Sequence, residues 1–323
     1  MKRTIAVLLV LSILTAGAAT PVPAQDFPAK PVRLVVPFPP GGPLDIGGRL
    51  LGKDLQELWK QPVIVENRVG GSGTIAVNSV VKSAPDGHTL LVISSTPLVT
   101  QPHLFQKVPY DVVKDLAPVI QTTLSTFALL TNPKKGITSV RELVEQARKA
   151  PGVLNYASAG NGSGQHLLME LFKSAANINL THVPYKGAAP ALQGLIAGEV
   201  DMMLEVAVAA VPLVKAGKAH ALMVTGASPL DPLPGAVPFD SLYPGLDIPT
   251  WHGIFAAPAT PRPVVEKLAQ DIRQVLLSPA IASRFRELGI EPSGVSGAKF
   301  DAIVRRDYER WGEIIRKNNL RAD

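Results

Sequence analysis

Prolines and glycines at residues 37–42 separate an apolar tripeptide from an amphipathic stretch, and this break constrains the chain more than any other feature. Leu34, Val35 and Val36 suit a short buried strand. Pro37, Pro39 and Pro40 end it, because proline has no N–H to give a ladder. Gly41 and Gly42 can take positive φ and let a ligand approach the backbone. Asp45 is the expected N-cap of a helix in which Ile46, Leu50, Leu51, Leu55, Leu58 and Trp59 recur at helical spacing. Unpaired N–H groups at such a helix start offer a site to an anion. A plain β-to-α connection has the same appearance, so this turn alone leaves both readings open.

A second turn of the same kind, Ala157 to Gly164, favours the anion site. Ser163 stands where an N-cap is wanted, three residues before His166, and glycines flank it. Ser158 and Ser163 add hydroxyls to the exposed N–H groups. Two such turns opening helices in separate α/β units read as two jaws offering donors to one anion. His166 is placed either to donate to a ligand carboxylate or to serve the turn itself. Glu205 ends an apolar strand, either facing a cleft, where it would suit a ligand amine or hydroxyl, or in solvent.

Met1-Lys-Arg is a basic start, and Ile5 to Leu14 an apolar run too short to span a bilayer. With Val22-Pro-Ala24 behind it, this reads as an export signal cleaved after Ala24, leaving Gln25 as the mature start. The chain has no cysteine, so neither disulfides nor a cysteine-linked lipid anchor is expected. Without Lys2 and Arg3 there are 30 basic residues against 26 acidic, a charge of +4. These charges are scattered, which argues against nucleic-acid binding. About 300 mature residues suggest two domains.

Strand and helix patterns alternate along the chain, which argues for α/β units with mainly parallel sheets. Thr89 to Ile93 reads as a parallel strand followed by the hydroxyls of Ser94, Ser95 and Thr96, at the end where open sheets bind ligands. Leu129 to Thr131 is read as the next strand, and Ser228 to Pro249 as surface loop. Enzyme signatures fail individually. Asn161 lies two before Ser163, so the Gly-x-Ser-x-Gly elbow is absent. No glycine loop ends in Gly-Lys-Ser/Thr. Gly71-Ser-Gly-Thr-Ile-Ala76 matches a dinucleotide turn, but Ser94-Ser95 stands where its acidic partner belongs. Histidines 88, 103, 166, 182, 220 and 252 show no metal spacing.

Several runs, in order, carry a resemblance. They are Lys30 to Gly42 with Asp45, Val65-Glu-Asn-Arg68, Ser83-Ala-Pro-Asp-Gly87 and Asn155 to Gly160. Gly162-Ser163 with His166-Leu167, His182 to Gly187, Gly198 to Asp201, and Trp251-His-Gly253 through Ala257-Pro258 follow. The chain resembles the periplasmic solute receptors of tripartite tricarboxylate transporters, the Bug family. The resemblance implies two α/β domains of periplasmic-binding-protein type (type II-like), joined by two crossovers and closing on a small carboxylate-bearing solute. The expected domains are 25–124 with 249–323, and 125–248, after a signal at 1–24.

By the same resemblance Phe38, Gly41, Gly42 and Asp45 belong to the first jaw, and Ser158, Ala159, Gly162, Ser163 and His166 to the second. Ser95 and Thr96 add hydroxyls, and Glu205 the far side. Leu204-Glu205 stands where the family commonly has Phe-Asp, and Gly226-Ala-Ser-Pro-Leu where a Ser-x-x-Arg-Ser-like run is usual. The implied role is a non-catalytic periplasmic receptor, monomeric and without cofactor or metal, that hands an organic acid to a membrane permease. The alternatives are a receptor for a signalling partner and a periplasmic hydrolase using Ser163 and His166.

Overall fold

The computed structural model describes residues 27–105, 108–226, 230–244, 250–287 and 290–317, the side chain of Ser72 apart. The export signal and its cleavage after Ala24 lie outside these residues. The chain opens with β1 (Val32–Val36), α1 (Pro43–Trp59), β2 (Val63–Asn67), α2 (Thr74–Val81) and β3 (Thr89–Ser94). It continues through α3 (Ser95–Leu104), β4 (Ala117–Ser125), β5 (Phe127–Thr131) and α4 (Val140–Lys149). Next come β6 (Asn155–Ser158), α5 (Gly164–Ala176), β7 (Thr181–Pro184), α6 (Ala188–Ala197), β8 (Met202–Val206) and α7 (Ala207–Lys215). β9 (His220–Val224), β10 (Val237–Pro238) and α8 (Phe239–Leu242) precede β11 (Thr250–Ala256). Helices α9 (Arg262–Leu276) and α10 (Pro279–Glu287), strand β12 (Glu291–Pro292) and helix α11 (Ala298–Lys317) follow.

Two six-stranded sheets result. One runs β12-β4-β11-β3-β1-β2 and the other β10-β9-β5-β8-β6-β7. In the first, β1 pairs parallel with β2 and β3, while β11 runs antiparallel to β3 and β4. In the second, β6 pairs parallel with β7 and β8, and β5 runs antiparallel to β8 and β9. Both sheets are therefore mixed. The antiparallel partners include the strands next to the crossovers: β4 passes to β5 through Thr126 alone, and β11 re-enters the first sheet.

Each sheet is covered on both faces, which explains apolar runs in place of alternation. Leu90 and Val92 of β3 pack with Leu34, Val36 and Ile254 on one face of the first sheet. Leu91 and Ile93 pack on the other, in a cluster with Trp251, Phe255 and Phe300 that continues into Leu129, Tyr156 and Phe172 of the second sheet. Ala128, Leu130, Met203 and Val224 form the outer core of that second sheet. One reading is corrected here, and two elements are added. β4 and α3 fall where the sequence showed no element, and the 228–249 stretch contains β10 and α8.

Candidate functional site

The first jaw is the loop between β1 and α1. Gly42, not Asp45, is the N-cap of α1, and Pro43 holds the first helical position. The expected cap is thus corrected. Proline fits there because its missing N–H would have no helical partner anyway. Asp45 instead fastens the loop. Its carboxylate accepts from the Gly41 N–H at 2.9 Å, from Arg49 Nε and Nη2 at 3.0 and 2.9 Å, and from Asn67 Nδ2 at 3.0 Å. Asn67 also donates to the Phe38 carbonyl at 2.9 Å. The Arg49 guanidinium, helped by Gly41 and Asn67 against the cost of burial, brings the Asp45 carboxyl down to about 2. Gly41 sits at φ +84°, a conformation that favours glycine.

The second jaw, between β6 and α5, is fastened at the loop itself by neutral groups, with an ion pair only at the far end of the ring column behind it. Ser163 caps α5, its Oγ accepting from the His166 N–H at 3.3 Å. The Gly162 N–H donates to His166 Nδ1 at 3.1 Å, which leaves the ring proton on Nε2. Ser158 Oγ lies 2.7 Å from His182 Nε2 and also bonds the Gly160 backbone. The His182 ring stacks between Tyr156 at 4.8 Å and His166 at 4.2 Å. Tyr156 ends the column on Glu170, which Lys173 pairs at 2.7 Å. Burial, and then the neighbouring His166, lowers His182 to about 4; burial also lowers His166. Both rings are neutral at pH 7.

Between the jaws lies a cavity of about 470 Å³. The starts of α1, α3, α5, α6 and α7 all reach it, through Pro43, Thr96, Ser163, Gly187 and Val206 with the residues around them. Of these five helices only α5 has a side-chain cap at its start. Its neutral polar side chains include Gln101, Ser125, Thr126, Asn161 and Gln165, and its apolar walls Phe38, Leu104, Phe105, Phe127 and Ile290. Among the described residues no lysine or arginine lines it. A smaller recess of about 170 Å³ shares Phe38, Pro43, Ser94 and His252 with it and adds Gly42, Leu44 and Asp45. The two halves meet where a Cβ on Gly164 would lie 3.4 Å from Thr96 Oγ1.

Of the residues expected from sequence, Phe38, Thr96, Ala159, Gly162 and Ser163 line the larger cavity. Gly42 and Asp45 line the recess. Gly41, Ser95, Ser158, His166 and Glu205 line neither. Ser95 Oγ accepts from the Trp251 N–H at 3.2 Å, binding the root of α3 to β11. Glu205 is buried one residue before the cavity wall, with Oε1 on the Val206 N–H at 2.7 Å. Burial pushes its carboxyl up to about 7. The sequence reading missed Phe105, Phe127, Val206 to Val208, His252 and Ile290. Within that set only the run Trp251-His-Gly253 gave any signal. The hydrolase arrangement is not assembled: Ser163 Oγ meets the His166 backbone, and that ring is bonded to Gly162.

Comparison with known proteins agrees with the two-sheet fold. The family model described as tripartite tricarboxylate transporter family receptor matches residues 48–320. Protein BugT of Bordetella pertussis is 33% identical over 323 residues, covering 99% of each chain. An R. palustris protein solved with adipate superposes with a TM-score of 0.81 at 32% identity, over 92% of this chain and 99% of the other. MatC from Rhodopseudomonas palustris, solved with bound malate, superposes at 0.75 and 32%, over 90% and 100%.

Proposed function

We propose a function from one premise: the chain belongs to the tripartite tricarboxylate transporter receptor family. As a member it is a periplasmic solute-binding protein and not an enzyme. Beyond that class, the solute is a small organic acid whose carboxylate sits among the helix starts between the two sheets. The receptor works as a monomer and passes the acid to the membrane permease of a tripartite transporter. The carrying observation is the convergence of α1, α3, α5, α6 and α7 on a cavity that no lysine or arginine lines among the described residues. Backbone N–H groups and hydroxyls then supply the positive end. Each helix start contributes about 0.3–1 kcal/mol toward an anion. Each charge-assisted hydrogen bond adds about 1.5–3 kcal/mol.

Phe38, Thr96, Ala159, Gly162 and Ser163 are the direct contacts in this reading. Asp45, Ser95, Ser158 and His166 hold the loops that present them. The aromatic walls Phe38, Phe105 and Phe127 suit an acid with an apolar body. Adipate and malate on two similar proteins support a carboxylate ligand. The lobes that close on it are 25–124 with 249–323, and 125–248, after removal of the signal near Ala24. Because only the closed form satisfies both jaws, the acid favours closure.

The test is a thermal-shift screen against mono- and dicarboxylic acids. A ligand present at a hundredfold its Kd stabilises by about 2.7 kcal/mol and raises the melting point visibly. At least one acid should do so and be recovered unchanged by mass spectrometry. No shift with any acid, or turnover that vanishes in Ser163→Ala, would defeat the reading.

A further inference from the structure

His252 is the one ionisable side chain lining the larger cavity among the described residues, and it lines the recess as well. It stands at the centre of the first sheet, in register with Ser94 of β3 and Thr123 of β4. Its Nδ1 lies 3.0 Å from Thr123 Oγ1, which fixes the ring. Nε2 has no partner among the described residues and is the polar atom the ring can offer the cleft. The sequence motif explains the position only in part. Trp251 on one side is buried in the core, with Nε1 on Asp307 at 2.7 Å, and Gly253 on the other leaves room for Phe300. Neither role requires histidine between them.

We infer that His252 contacts the bound acid through Nε2 and gains a proton as the acid binds, so that affinity rises as pH falls. This rests on the carboxylate-receptor reading and adds to it a residue that senses the ligand's charge. In the free protein burial alone lowers the ring to about 4, so it is neutral at pH 7. A carboxylate brought against Nε2 favours the charged ring and raises that value in the complex. Affinity therefore tightens as pH falls toward the free ring's value.

One other group titrates in the same range: Glu205 of β8, one residue before the cavity wall, whose carboxyl burial pushes up to about 7. Asp45 of α1, in the recess wall, has its oxygens held by Gly41, Arg49 and Asn67. Glu291 of β12, beside β4, is exposed and paired with Arg286 at 3.3 Å. Across the cavity Asn161, Gly162, Ser163 and Gln165 carry no charge, and His166 is bonded behind them to Gly162. From β3 and β4 the neighbours are Ser94 and Thr123.

The experiment is calorimetric titration of the full mature protein with the strongest acid of a screen that includes adipate and malate. It is run at pH 8.0 and 6.0, above the ordinary carboxylate range, in two buffers of different ionisation enthalpy. The wild type should bind about tenfold tighter at pH 6.0 and take up a fraction of a proton on binding. His252→Gln, which keeps a donor but cannot titrate, should bind with no pH dependence. A pH-independent wild type without proton uptake overturns the inference while leaving the receptor reading intact. An unchanged slope in His252→Gln does the same. Binding of no acid at any pH overturns both. Glu205→Gln, which removes the other group that titrates in this range, should keep the pH dependence and proton uptake of the wild type, and their loss there overturns the inference even if His252→Gln folds poorly.

Discussion

The two jaws share a plan, strand then glycine turn then helix, yet they are held by opposite chemistry. The first is tied by an ionised carboxylate: Asp45 gathers Gly41, Arg49 and Asn67. The second is tied by neutral rings: Tyr156, His182 and His166 stack behind it, with Ser158 and Gly162 bonded to the imidazoles. The contrast shows that neither fastening places a formal positive charge at the cavity. Each holds its loop with side chains of its own jaw that accept from loop N–H groups. It also separates the pH ranges in which the jaws loosen.

The strongest way to sharpen the comparison is to put the same charge at both helix starts. Ser163→Asp preserves the cap of α5, since aspartate caps as well as serine. It also sets a like charge against the ligand, so affinity should fall about a hundredfold or more, with melting nearly unchanged. Gly42→Asp places the same group on α1, at φ −79°, which any residue adopts. There the loss should be smaller, because Gly42 reaches only the recess. Calorimetry on both variants decides which jaw holds the carboxylate.

Acid should loosen the jaws in sequence. His182 has a folded value of about 4, below the ordinary 6.5, so the unfolded chain binds more protons between them. Stability therefore falls as pH drops from about 6.5 toward 4, by about 1 kcal/mol after discounting for the ring's partial exposure. Asp45 has a folded value of about 2 against 3.8, so its contribution is complete above pH 4 and is lost only as pH falls through 2. Urea unfolding at pH 7.5 and 5.0 should show the loss in the wild type and less of it in His182→Phe, which keeps a ring in the stack. An equal loss in both would remove the His182 column as the acid-sensitive part.

The smallest effect is expected where the halves touch. Gly164→Ala adds a Cβ 3.4 Å from Thr96 Oγ1 and 3.8 Å from Phe127 Cζ. Both are ordinary contacts, so affinity should change by less than about 1 kcal/mol. A larger loss, read by the same calorimetry, would mean that closure draws Thr96 and Gly164 nearer than they stand here.

Much of this architecture is legible in the chain itself. Both turns and the Ser163 cap follow from local chemistry, and the family runs carried the fold class. Other parts are hidden for physical reasons. Helix α3 contains Pro97 and Pro102, residues that normally argue against a helix, though the first turn tolerates Pro97. Strand β4 buries Gln121, Thr122 and Thr123, so its polar letters mask an interior strand. Asp45 has the right residue type for a cap, but Pro43 starts the helix two positions earlier and turns that carboxylate to the loop. Phe105, Phe127, His252 and Ile290 come to one cavity only through long-range topology, which no local pattern encodes.

The central claim is that helix-start N–H groups, and not a lysine or arginine, hold the acid. The direct test is an amide NMR titration of the mature protein with the strongest acid from the thermal-shift screen. The largest downfield shifts should fall on amides at the starts of α3, α5 and α7, such as Thr96, Gln165 and Val208. Shifts confined to residues remote from these helix starts, with the starts unmoved at saturation, would contradict the account.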